Sequence, residues 1–107
     1  MDVYIEKISL DQNYMLFVKP KNYSFDMIHR SSMGVHWDDK KCCLYHNPTK
    51  NWSVISWYMQ ITLAVQNEYG ATLIATSDTV YENIAPSVQK SIANANQGIK
   101  RSGLKPV

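Results

Sequence analysis

The stretch from Trp52 to Tyr69 constrains the fold more than any other part of the chain. Val54, Trp57, Tyr58, Ile61, Ala64 and Val65 recur at spacings of three and four, which puts them on one face of an α-helix. Asn51 or Ser53 supplies an N-cap, and Gly70 stands at the usual stop position. A helix with one apolar stripe must bury it against another layer, so the remaining residues have to provide a sheet or further helices. A second apolar group, Ile55, Met59 and Leu63, falls about 100–180° from the centre of that stripe on helical geometry. A surface helix is polar at such positions, so this face meets either more of the core or a partner.

The flanking segments read mainly as strands. Val3 to Leu10 alternates, with Val3 and Ile5 on one face and Tyr4 and Ile8 less cleanly placed. Asp11-Gln12-Asn13 is turn chemistry, and Tyr14 to Val18 is a second strand pairing back on the first, ended by Pro20. Ser24 is placed to cap a short helix over residues 25–33, with Phe25 and Ile28 on its buried side and Gly34 closing it. Val35 to Asp38 and Lys41 to Tyr45 form a hairpin around Asp39-Lys40. A two-residue turn would set Trp37 opposite Cys42, Val35 opposite Leu44, and His36 opposite Cys43. Ala71 to Ser77 is a further strand, broken by Asp78 and Thr79. Pro86 opens a last helix that Gly98 ends, with Val88, Ile92 and Ala95 on its inner side.

The expected architecture is therefore α+β: a mainly antiparallel sheet with one long and two shorter helices packed against it. Residues 1–98 form a single domain, and 99–107 a flexible basic tail. At 107 residues the chain can bury a core without staples.

Charge and cysteine use narrow the functional classes. Residues 1–84 hold seven Lys/Arg and nine Asp/Glu, a balance of −2, whereas residues 85–107 hold four cations and no acid, a balance of +4. A nucleic-acid binder carries its positive charge on the folded body, so nucleic acid is an unlikely partner. The four glycines, Gly34, Gly70, Gly98 and Gly103, form no phosphate-binding loop. Cys42 and Cys43 are neighbours on an extended segment, where a disulfide between them would be strained. Two free thiols indicate a reducing, cytoplasmic setting. Met1 to Leu10 lacks the apolar core of a signal peptide, and the long helix is too rich in Ser, Thr, Asn and Gln to enter a membrane.

Two constellations bear on chemistry. His36, Asp38, Cys42, Cys43 and His46 hold ligand types suited to zinc, but their spacing follows no zinc pattern and the hairpin register splits them between two faces. Buried cysteine and hydrogen-bonded histidine is the better reading, so no metal and no cofactor is expected. His29, His36 and His46, aided by Arg30, Lys40 and Lys41, have the side chains a small ribonuclease would use for general acid/base work. Nothing in their spacing forces convergence. Cys43 with His36 across the ladder would make a nucleophile and base without a third orienting group.

Met33-Gly34-Val35-His36-Trp37 and Trp52-Ser53-Val54-Ile55-Ser56-Trp57-Tyr58, in a compact chain rich in Trp and Tyr, resemble small bacterial immunity proteins of contact-dependent growth inhibition systems. That resemblance implies a non-catalytic inhibitor that covers a toxin's active site through tyrosines, tryptophans and carboxylates, anchored by a few aromatic hot spots. Asp38, Asp39 and Tyr45 on the hairpin are the contact residues expected on this reading. Ile55, Met59 and Leu63 form a further partner-binding face, for a protein partner or for a homodimer. The alternative is a small RNA-acting enzyme or nucleic-acid-binding protein using His29, His36, Lys40 and Lys41.

Overall fold

A computed structural model describes residues 1–28, 34–46 and 52–104, with side chains as far as residue 95. Its order is β1 (Asp2–Leu10), β2 (Leu16–Pro20), β3 (Val35–Asp38), β4 (Cys43–His46), α1 (Val54–Tyr69), β5 (Thr72–Ile74), β6 (Val80–Glu82) and α2 (Pro86–Leu104). The strands form one sheet in the order β3-β4-β2-β1-β5, with β6 also on β1.

The sheet is mixed rather than mainly antiparallel. β1 with β2, β2 with β4 and β3 with β4 are antiparallel, but β5 and β6 both run parallel to β1. The cause is α1, which lifts the chain from the end of β4 over β2 and β1 and returns it in the direction in which β4 was travelling. A parallel pairing needs a crossover of that length, and a tight turn cannot supply it.

β5 and β6 share one edge of β1. Asp2 to Tyr4 pair with Thr72 to Ile74, and Lys7 to Ser9 pair with Val80 to Glu82. Between them the register of β1 against β2 shifts between Ile5 and Lys7, the mark of a bulge. The bulge explains the uneven alternation of β1: Val3, Ile5 and Ile8 are all buried in one core. Residues 75–79 connect β5 to β6 at the same level, and Thr79 closes the gap. Its buried hydroxyl donates to the Ile5 carbonyl at 2.7 Å and accepts from the Thr76 amide at 2.9 Å. Asp78 and Thr79 thus interrupt a strand that resumes as β6, an element the sequence reading left out.

Both ends of α1 follow from local chemistry. Ser53 Oγ accepts the Ser56 amide, and Gly70 adopts φ 62°, ψ 24° with its N–H on the Gln66 carbonyl. Trp57, Tyr58, Ile61, Ala64 and Val65 are buried against Leu16, Val18 and Leu44 of the sheet in a single cluster. α2 packs on α1, with Ile92 fully buried. It runs on to Leu104, so Gly98 does not end it. Glycine stops a helix where it turns left-handed; in a right-handed turn it costs about 1 kcal/mol and is carried along.

The short helix expected at 25–33 is not present in its described part. Phe25 to Ile28 make one tight turn, the Ile28 amide donating to the Phe25 carbonyl at 3.0 Å, and residues 29–33 lie outside the described set. Aromatic packing holds this segment: Phe25 is fully buried, 4.8 Å from the Tyr69 ring and 6.1 Å from Trp37, and the Tyr69 hydroxyl accepts the Met27 amide. β2 begins at Leu16 rather than Tyr14, because the Asp11 carboxylate accepts the Asn13 and Met15 amides and Tyr14 takes φ 61° in that loop. Pro20 is the last residue of β2 rather than the residue after it, since a terminal position need not donate.

Candidate functional site

The β3–β4 hairpin differs from the expected register. Asp38 pairs with Cys43, Trp37 with Leu44, His36 with Tyr45 and Val35 with His46, around a four-residue turn, 39–42. Asp38 widens the turn: its Oδ1 accepts the amides of both Lys40 and Lys41 at 3.0 Å. Cys42 then sits in the left-handed region at φ 54°. The shift of two residues keeps each side chain on its face but changes its neighbour. Trp37 faces Leu44 rather than Cys42, and Val35 faces His46 rather than Leu44. His36 is opposite Tyr45, with ring centroids 5.2 Å apart, and no longer opposite Cys43.

That rearrangement removes the supposed nucleophile–base pair. Cys43 is buried, its thiol donates to the Lys41 carbonyl at 3.2 Å, and burial pushes its pKa up, so the thiol holds its proton. Cys42 is exposed. His46 is buried on the core face, stacked on Trp52 at 5.4 Å. Lys40 is exposed at the turn, Lys41 lies over the Phe17 ring at 4.2 Å, and His29 and Arg30 lie outside the described residues. Among the described residues no His, Cys, Asp or Glu group is assembled to hold a metal.

The six partner-binding candidates fall into two places. Asp38 is half-buried and occupied in shaping the turn, and Asp39 beside it accepts from Trp37 Nε1 at 3.2 Å. Tyr45 stands on the sheet face turned away from the helices, between Phe17 at 5.8 Å and His36. On that face Lys7 pairs with Glu82 and Lys19 with Glu6, and the bonded Glu6 carboxylate holds the Lys19 ammonium above its usual pKa. Ile55, Met59 and Leu63 lie across the sheet from Tyr45, on the outer side of α1.

There they line a cleft of about 400 Å³ with Trp52, Ser56, Gln60, Thr62 and Gln66. Met59 is 38% exposed, Leu63 46% and Trp52 40%. No residue from Trp52 to Asn67 bears a charge. The helix is therefore apolar on two faces: one is the core, and on the other Met59 and Leu63 are exposed while Ile55 is half-buried against the core cluster. Trp52 is the member that the sequence reading missed. It stands just before the helix, three residues ahead of Ile55, and that spacing was the signal available for adding it to this group. A larger cleft of about 680 Å³ opens between the 75–79 loop, Tyr81 and the start of α2. No helix among the described residues is long and apolar enough to cross a membrane.

The family model of Integron Cassette Protein Hfx_Cass5 matches residues 3–79, from β1 through α1 to the residue that stitches β5 to β6. The chain belongs to the Hfx_Cass5 family. This membership corrects the resemblance to contact-dependent growth inhibition immunity proteins: both segments that carried it, Met33 to Trp37 and Trp52 to Tyr58, lie inside the Hfx_Cass5 match. The solved structure of Integron Cassette Protein Hfx_Cass5, from the mobile metagenome of the North West Arm Sewage Outfall, is 24% identical. Its alignment covers 89% of this chain and 95% of that chain at a TM-score of 0.43. No curated protein matches.

Proposed function

We propose that this Hfx_Cass5 family member works without catalysis, by binding another protein through the outer face of α1. The observation that carries this reading is the uncharged outer side of α1, where Trp52, Met59 and Leu63 are exposed beside half-buried Ile55 while the opposite side is buried in the core. A partner covering the exposed part of one such side chain gains on the order of 1 kcal/mol from removed water. Clustered apolar anchors with a polar rim are the usual anatomy of a binding hot spot. Neutralisation of a toxin, which rested on the replaced resemblance, is not part of the proposal.

The test is affinity capture from source cells, followed by variants of the captured complex. Met59→Asp and Leu63→Asp should weaken partner binding at least about tenfold, since each would bury an unpaired charge. The triple variant Asp38→Ala, Asp39→Ala, Tyr45→Ala should leave affinity unchanged. The opposite pattern would move the docking surface to the hairpin.

One observation favours a second reading, nucleic-acid binding. Tyr45 and His36 are half-buried neighbouring rings on the sheet face turned away from the helices, beside Phe17 capped by Lys41, and base–aromatic stacking on such rings is worth about 1–3 kcal/mol per base. Against it, two lysines of that face are already paired with glutamates. Titration of a labelled single-stranded oligonucleotide against wild type and Tyr45→Ala decides between the two: binding lost in the variant would favour nucleic acid.

A further inference from the structure

We infer that the cleft between the 75–79 loop, Tyr81 and the start of α2 is a binding site for a small organic carboxylate, with the carboxylate on Lys90 and the rest of the molecule on the apolar lining.

The cleft opens beyond the end of β5, between the segment that carries the chain to β6 and the first turns of α2. At about 680 Å³ it has the size of a small-molecule site. Ile74, Ala75, Pro86 and Ala93 make its apolar lining, and Thr76, Ser77, Tyr81, Gln89 and Lys90 bring polar groups. None of these residues is on α1, so the site is separate from the outer face of that helix. Tyr81, Gln89 and Lys90 also lie beyond the residues that the Hfx_Cass5 model matches.

The polar groups are rich in donors. The Tyr81 hydroxyl has no hydrogen-bond partner among the described residues, and burial raises its pKa, so it keeps a proton to donate. Thr76 Oγ1 accepts the Asp78 amide at 3.2 Å, which leaves its own O–H for another acceptor. Gln89 gives one N–H to the Ile84 carbonyl at 2.9 Å, which holds the carboxamide and leaves the second N–H. Lys90 forms no ion pair among the described residues. The acids nearest in sequence are engaged elsewhere. Asp78 lines the neighbouring cleft with Tyr4 and Lys21, and Glu82 is bonded to Lys7 at 2.8 Å.

That inventory decides the class of ligand. Donors around a single ammonium suit an acceptor-rich group with one negative charge, which a carboxylate supplies. A phosphate monoester carries about −1.5 to −2 at neutral pH and would leave charge unbalanced. The start of α2 does not make up the difference: Pro86 has no N–H, and the Val88 and Gln89 amides are already donated to the Ala85 carbonyl.

The test is a titration of the full chain with benzoate, followed by its amide NMR signals. Saturable shifts are expected at Thr76, Ser77, Tyr81, Gln89 and Lys90, with the millimolar Kd of so small a ligand. Lys90→Glu should weaken binding at least about tenfold, because attraction becomes repulsion. An acid so near the start of α2 suits the helix dipole, so the unfolding midpoint should hold. Lys21→Glu makes the same charge change in the neighbouring cleft and should leave affinity unchanged. Benzamide, which lacks the charge, should bind at least about fivefold more weakly than benzoate. Shifts that stay linear to about 20 mM benzoate, or that centre elsewhere, overturn the site. So does an affinity indifferent to Lys90→Glu. Phenyl phosphate binding more tightly than benzoate overturns the carboxylate assignment.

Discussion

Thr79 shows how much one side chain can settle. Its hydroxyl is buried and bonded at both ends, to Ile5 and to Thr76, where two strand segments would otherwise part. Thr79→Val keeps the shape and removes both bonds, leaving a buried carbonyl and amide without partners. The expected cost is about 1–3 kcal/mol, read as a lower urea midpoint with an unchanged slope. Cys43 carries a pH signature. Burial raises its pKa, against a smaller opposing pull from Lys19. Folding therefore holds the thiol proton more tightly than the unfolded chain does. That contribution is fully present below pH 9.0, the ordinary thiol value, and is lost as pH climbs through the raised folded value. Cys43→Ala should flatten the alkaline fall in stability. A disulfide reagent at neutral pH should label Cys42 first and Cys43 only slowly.

Among the elements, the β3–β4 hairpin is set by its turn. Asp38 accepts two successive amides, so a turn that pattern alone places at Asp39-Lys40 spans four residues and slides the pairing by two. Asp38→Ala should cost about 0.5–2 kcal/mol and speed amide exchange at Lys40 and Lys41 while the β1–β2 amides stay protected. The stop of α1 gives a complementary case. A methyl group at Gly70 would meet nothing within 4 Å, but the backbone is left-handed there. Gly70→Ala is therefore expected to destabilise by about 1 kcal/mol through backbone strain alone, measurable by thermal unfolding.

For the molecule as a whole, both helices lie on one face of the sheet, and among the described residues α1 is covered on only part of its circumference. α2 joins the core by burying Ile92 beside α1. Ile92→Ala should cost about 2–5 kcal/mol, a drop in urea midpoint larger than that of any surface change proposed above. Charge on the outer face of α1 is expected to do the reverse, leaving the midpoint of the isolated chain in place and weakening partner binding.

Sequence periodicity alone determined α1, its stop at Gly70 and its two apolar groups, while Asn51 and Ser53 stayed open as N-caps, because the spacing of side chains on a helix is a local property. Alternation likewise revealed β1, β2 and the hairpin, and the Ile55, Met59 and Leu63 group stood out as an apolar surplus. The α+β class followed from that order of elements. What tertiary structure alone decided was every relation between distant residues. The parallel pairing of β5 and β6 depends on where α1 returns the chain, and the use of Thr79 depends on a carbonyl of β1 far away in sequence. The hairpin register depends on two amides captured by one carboxylate. The separation of Tyr45 from Met59 depends on which face of the sheet the helices cover. Such relations are set by the packing of one shared core, and no window of neighbouring residues contains them.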